Sequence, residues 1–174
     1  KIQFDSFEKK RLKKLLLCFV WILSVQSLFA QADSLPIFRR FPNVPPFTIM
    51  ALPDSTSFKK EDLSNRTKLM LVLFSPDCDH CRHFTRDLLS HYDLFKKVQI
   101  VMASSMDYSI IQSFYSEFNI ARYPAIQMGR DVNYFLGTFF QVTQFPSVFL
   151  YDKKGKLIQD FSGTIDVEKL ATFF

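Results

Sequence analysis

The stretch LMLVLFSPDCDHCRHF, Leu69 to Phe84, decides how this chain folds. With Lys68 ahead of it, KLMLVLF is an apolar run without polar alternation, the pattern of a strand covered on both faces. Two cysteines spaced CxxC follow at once, and then CRHFTRDLLSHYDLFKK, where Phe84, Leu88, Tyr92 and Phe95 recur at helical spacing. Lys96 and Lys97 suit the C-terminal end of that helix. A cysteine that opens a helix meets unpaired backbone N–H groups and the positive end of the macrodipole, so the spacing predicts a stabilised Cys78 thiolate. Cys81, one turn in, is close enough to attack a mixed disulfide on Cys78 and release its partner. His80 donates to the first sulfur or sits beside it as a cation, while Asp77 and Asp79 add opposing charge.

The residues alone leave three chemistries open for Cys78 and Cys81: a redox pair, a structural disulfide, or a metal clasp. Cys78, His80, Cys81 and His83 form a compact set of zinc or copper donors. A helix cannot turn all four inward, which argues against the clasp. His83 and His91 read as ordinary surface or half-buried helix residues.

The chain has 174 residues, 48% of them apolar, enough for one domain with a buried core. Its net charge of +5 is concentrated at the front. Residues 1–14 hold six Lys/Arg against two Asp/Glu, leaving 16 basic against 15 acidic residues from Leu15 onward. Such a body has no basic stripe for phosphate backbones, and nucleic acid is excluded as a partner. The basic front leads into LLLCFVWILSVQSLFA and then Ala30-Gln31-Ala32. A positive flank, an apolar middle and small residues around a cut site make residues 1–32 a secretory signal peptide, the alternative being an uncleaved membrane anchor. Cys18 leaves with that segment. The mature chain then carries Cys78 and Cys81 alone, an even count that permits a disulfide in an oxidising compartment.

Residues 33–45, with Pro36, Pro42 and Pro45, read as a proline-rich linker, poorly ordered unless docked. The domain is expected over 46–174. FTIMAL is a strand, PDSTSFKKEDLSNRT turns with a short helical piece, and VQIVMAS another strand. A helix follows over Ile110 to Phe118, with Ser109 and Gln112 as a capping box. A short strand is expected near Ala125 to Met128 and a helical or irregular piece around Tyr134 to Phe139. Two apolar runs split by Asp-Lys-Lys-Gly form a terminal hairpin, and Asp166 caps a last helix. Strands alternating with helices argue for a mixed α/β sheet with helices on both faces. Most of the 21 phenylalanines are expected in the core. Tyr134, Phe135, Phe139, Phe140 and Phe145 are the exception, a candidate peptide groove.

The chain resembles the thioredoxin superfamily, and more narrowly its exported TlpA/ResA-like branch. VPPFTIMALPDSTSF is similar to that branch's opening strand and loop, LMLVLFSPDCDHC to its strand leading into CxxC, VTQFPSVFLYDKKGKL to its cis-proline strand and hairpin, and FSG with the last helix to its ending. The resemblance implies a thioredoxin-like fold with an N-terminal extension and a central insertion before the cis-proline strand. Pro146, followed by a strand, a turn and a second strand, fits the cis position better than Pro124. The implied function is thiol-disulfide exchange with cysteine-containing proteins and a redox partner. In it Cys78 is the nucleophile, Cys81 the resolving thiol, His80 a tuning residue, and Phe145 and Pro146 the substrate-binding loop. The Cys78–Cys81 disulfide is the redox centre and no cofactor is required. An exported monomer of the periplasm or cell envelope is expected, touching membrane only if its N-terminal segment is retained. The alternative is a non-enzymatic binding or adaptor module braced by a structural disulfide. The chain departs from relatives at two positions: Val72 stands where plain thioredoxin has a buried Asp, and Phe84 where some relatives have a proton-transferring Glu. Leu71, where peroxiredoxins need proline, argues against that family.

Overall fold

The computed structural model describes Arg11, Lys13, Lys14 and residues 35–174. The expected signal peptide therefore lies outside the described residues except for those three cations, which are helical and exposed. No helix among the described residues is long and apolar enough to cross a membrane.

Residues Ile37–Phe174 form one compact unit. Its strands are β1 (Thr48–Ala51), β2 (Ser57–Lys59), β3 (Lys68–Leu73), β4 (Val98–Ser104), β5 (Ile126–Arg130), β6 (Ser147–Tyr151) and β7 (Leu157–Ser162). The helices are α1 (Ile37–Arg40), α2 (Asp79–Ser90), α3 (Tyr108–Glu117), α4 (Phe135–Phe139) and α5 (Val167–Ala171). All seven strands join one sheet in the order β2-β1-β5-β4-β3-β6-β7. The three central strands β3, β4 and β5 run parallel, and β1, β6 and β7 pair antiparallel to their neighbours. This is the mixed α/β architecture the sequence implied.

The sheet divides the core in two. Because successive side chains of a strand point to opposite faces, Met70 and Val72 of β3 enter one cluster and Leu69, Leu71 and Leu73 the other. The first cluster packs against Phe84 and Leu88 of α2, Ile111 and Phe114 of α3, and Leu170 of α5. The second packs against Phe38 of α1 and Leu136 of α4. There Phe140 stacks on Phe149 with ring centroids 3.8 Å apart, and Phe38 meets Phe149 edge-on at 5.3 Å.

Several expectations are corrected. Residues 37–45 are docked, the condition under which the sequence expected order there: Phe38 and Val44 are buried, Asn43 bridges to Lys156, and the Val44 N–H donates to the Gly155 carbonyl. Compactness thus begins at Ile37, ahead of the expected boundary at 46. The segment read as turns contains β2, which pairs with β1. The helix after the cysteines stops at Ser90, and Tyr92–Phe95 form a separate 3-10 turn. Ser109 lies inside α3, whose N-cap is Asp107; that carboxylate makes no capping bond and pairs with Arg130 instead. Asp166 does cap α5, accepting the Lys169 N–H at 3.1 Å.

Gly129 sits where β5 crosses β1, and a Cβ there would lie 2.7 Å from the Met50 carbonyl oxygen and 2.9 Å from Ile49 Cδ1. Gly129→Ala is therefore expected to lower stability by about 1–3 kcal/mol through overpacking against rigid backbone. A fall in the denaturant midpoint at unchanged m-value would register it; an unaltered midpoint would contradict the packing described.

Candidate active site

Strand β3 is saturated on both sides, by β4 and β6, so reactive groups can be presented only beyond its end. The Phe74 N–H still reaches the Ala103 carbonyl of β4 at 3.1 Å. The chain then turns through Ser75, Pro76 and Asp77, held by the Cys78 N–H donating to the Ser75 carbonyl at 3.1 Å. Cys78 is the N-cap of α2, with extended backbone (φ −89°, ψ 119°), and its sulfur accepts the Cys81 N–H at 3.4 Å. A sulfur here stands in for the side-chain oxygen that usually caps a helix.

The two cysteines differ sharply in surroundings. Both are free thiols; Cys78 is half-buried and Cys81 fully buried. Cys81 lies in the hydrocarbon cluster formed by β3, α2 and α3, which includes Val72 and Phe84, the two positions at which the sequence departs from relatives. Burial pushes the Cys81 thiol from 9.0 up to about 12, opposed by a contact from the Ser75 backbone and reinforced by the neighbouring Cys78.

From the other side, β6 brings the loop before it against the pair. The Phe145–Pro146 peptide is cis, as expected, and so is Leu52–Pro53, which was not expected. The Cys78 thiol lies 3.7 Å from the Phe145 carbonyl oxygen. Ser147 Oγ donates to the Gln144 carbonyl at 2.7 Å and the Gly163 N–H to the Pro146 carbonyl at 2.9 Å, fixing the loop from both flanks. Pro146 is buried, while the Phe145 side chain is 39% exposed.

His80 is exposed in the first turn of α2 and makes no hydrogen bond to either sulfur. His83 is exposed and its Nδ1 lies 3.3 Å from Arg86. No three His, Cys, Asp or Glu side chains among the described residues gather in a metal-binding arrangement. The aromatic groove is corrected too. Phe140 is buried in the second cluster, with Phe135 and Phe139 packed against it, leaving Tyr134 and Phe145 as the exposed members. A cleft of about 960 Å³ opens elsewhere, lined by Arg66, Lys68, Lys96, Lys97, Lys153 and neighbouring residues around the starts of β3 and β4. The cysteine pair lies beyond the opposite end of β3, with Cys78 half-buried and Cys81 buried behind it.

Sequence reading missed two residues beside the pair. Arg82 donates to the Pro76 carbonyl at 3.4 Å, pairs with Glu117, and lies over Phe118 at 5.5 Å, tying the CxxC turn to α3. Thr85 is fully buried on the stripe Cys81, Phe84, Thr85, Leu88, and its hydroxyl has no hydrogen-bond partner. An orphaned buried hydroxyl costs about 1–3 kcal/mol. The only signal for it was a polar residue on an otherwise apolar helix face.

The family profile described as "Thioredoxin-like domain" matches residues 58–174. The chain belongs to the thioredoxin-like family. No curated protein matches it in sequence. Among solved structures it is similar to a secreted Mycobacterium tuberculosis disulfide oxidoreductase homologous to E. coli DsbE, with 18% identity, TM-score 0.62, and 73% of this chain and 92% of that one covered. It is similar also to StoA from Bacillus subtilis, with 19% identity, TM-score 0.57 and coverage of 76% and 98%. The thioredoxin domain of a Bacteroides vulgatus thiol-disulfide oxidoreductase gives 19% identity, TM-score 0.62 and coverage of 75% and 94%. At these identities the likeness is one of fold.

The raised value of Cys81 has a sign. As pH climbs, the unfolded chain releases this proton first, so the stabilisation is fully present below about pH 9 and drains away as pH rises through about 12. Burial raises Tyr151 as well, and Asp160 adds to it, so both groups act in the same direction. The difference between the reduced native protein and Cys81→Ala isolates the thiol. The native protein is expected to lose stability more steeply above pH 9 than the variant, as read from denaturant unfolding at a series of pH values; parallel curves would refute it.

Proposed function

We propose that this protein is an exported thiol-disulfide oxidoreductase that exchanges disulfides with cysteine-containing proteins through Cys78 and Cys81. One observation carries the reading: Cys78 presents its sulfur at the N-cap of α2, 3.7 Å from the Phe145 carbonyl, while Cys81 waits behind it in hydrocarbon. Cys78 is the nucleophile because its sulfur reaches the surface and burial keeps Cys81 protonated.

In the reductive direction the Cys78 thiolate attacks a partner's disulfide. One sulfur–sulfur bond breaks, another forms to Cys78, and the departing partner sulfur takes a proton. Cys81 then loses its proton and attacks the Cys78 sulfur, so the partner leaves as a dithiol and the pair remains as the disulfide. Two electrons pass to the partner, and the oxidative direction is the reverse. The cysteine pair is itself the redox centre, without a further cofactor. The exposed Phe145 and the loop before Pro146 form the ground on which an extended partner segment lies. The exposure of Cys78 beside the exposed Phe145 suits a protein substrate. Export is supported by the signal-like N-terminal sequence and by structural neighbours described as secreted or as an exposed lipoprotein. A monomer working with a separate redox partner protein completes the reading.

Cys81→Ser is expected to trap partner proteins as mixed disulfides released by reductant, and Cys78→Ser to trap none. No trapping by Cys81→Ser, with function retained in Cys78→Ser, would return the protein to the adaptor reading; equal trapping by both would remove the assignment of Cys78 as nucleophile. His80 is assigned the tuning of Cys78 by charge from the first helical turn. His80→Ala is expected to change the pH profile of Cys78 attack; an unchanged profile removes that role.

A further inference from the structure

Resolution poses a chemical problem at this site. Cys81 must give up its proton among Val72, Phe84 and other apolar side chains, with no carboxylate in either position that relatives use for the purpose. One polar side chain is present on the same buried stripe. Thr85 follows Cys81 by one helical turn, is 0% exposed, and its Oγ1 has no hydrogen-bond partner. Threonine in a helix ordinarily turns its hydroxyl back to a carbonyl one turn earlier. Here it does not, and a free donor is left inside the core.

The geometry of a helix directs that donor. Side chains four residues apart stand with Cβ atoms about 5–6 Å apart, and each leans toward the N-terminal turn, so Thr85 leans toward Cys81. Cys81 and Thr85 both lie on the buried stripe of α2. The groups acting on the Cys81 thiol are its hydrocarbon surroundings, the Ser75 backbone and Cys78. Charged neighbours on α2 point elsewhere: Arg82 is engaged with Glu117 and Pro76, and Asp79 is exposed.

We propose that the Thr85 hydroxyl donates a hydrogen bond to the Cys81 sulfur as negative charge develops on it, and so makes Cys81 the effective resolving thiol. This rests on the reading of Cys78 and Cys81 as an exchanging pair. Thr85 keeps its own proton throughout. The proton lost by Cys81 ends on the sulfur of the departing partner, the Cys81–Cys78 bond forms, and the bond between Cys78 and the partner breaks. The donor that is idle in the dithiol gains its acceptor only in the charged state, so it lowers the barrier rather than stabilising the resting form.

The two steps separate with 5,5′-dithiobis(2-nitrobenzoate). Mixed with the reduced protein in a stopped-flow instrument, it releases one coloured thiolate when Cys78 attacks and a second when Cys81 resolves. In Thr85→Val, which keeps the shape and removes the hydroxyl, the first release is expected to be unchanged and the second slower on the order of tenfold, the worth of a hydrogen bond to a charged group. The pH dependence of the second release should move to higher pH, and Thr85→Ser should restore both rate and profile. A second release within twofold of native in a folded Thr85→Val, or the same slowing in Thr85→Ser, would overturn the proposal. Thermal unfolding of each variant shows that it is folded, and Thr85→Ala provides the same test should the valine variant not fold. Absence of the first release from the native protein would instead sink the exchange reading itself.

Discussion

The burial of β3 on both faces and along both edges governs the rest of the molecule. Its residues Leu69 to Leu73 pair with both β4 and β6 and are divided between two hydrocarbon clusters, so nothing along that length is free to react. Chemistry is displaced to the point where the strand ends and the chain starts a helix after the five residues Phe74–Cys78. At that point Cys78 caps the helix, its sulfur accepting the Cys81 N–H. The antiparallel neighbour β6 enters from the same end and brings the Phe145 carbonyl to the sulfur. The two halves of the site are thus placed by adjacent strands of one sheet, not by flexible loops.

This arrangement separates two sulfurs three residues apart into different media. One sits at the boundary with water and the other in hydrocarbon, and the helix axis alone accomplishes the division. The two positions at which the sequence departs from plain thioredoxin and from some relatives, Val72 and Phe84, are both buried, so an acid there would need its own partners. The surroundings of Cys81 are consequently almost free of polar groups. A single hydroxyl in that setting has more electrostatic weight than it would at the surface, because little else screens or competes with it.

What could be read in the sequence followed from how far each element's signal extended along the chain. The strands β3 and β4 announced themselves through continuous apolar runs, and the hairpin of β6 and β7 through its Asp-Lys-Lys-Gly turn. Pro146 was separable from Pro124 by the same hairpin, which only Pro146 precedes. The three residues of β2 lay below that threshold among turn formers. The docking of 37–45 was illegible because Phe38 and Val44 acquire their meaning only against Phe149, Phe140 and Gly155, far along the chain. At the site, the CxxC pair and the cis peptide were plain, whereas Arg82 and Thr85 were not. Their contacts depend on which way α2 is rotated against α3 and the sheet, a tertiary fact that spacing alone does not carry.

The even-odd division of β3 between its two cores has a genetic corollary. Inserting or deleting one residue between Lys68 and Phe74 would exchange Met70 and Val72 for their neighbours, turning both cores inside out and shifting the pairing with β4 and β6 together. Length variation among descendants of this gene should therefore be near zero from Lys68 to Cys78. The exposed turns that flank α4 between β5 and β6, at Val132–Tyr134 and Thr143–Phe145, face no such parity rule. Drift in chain length should accumulate there, changing what lies beside the sulfurs while leaving their placement intact.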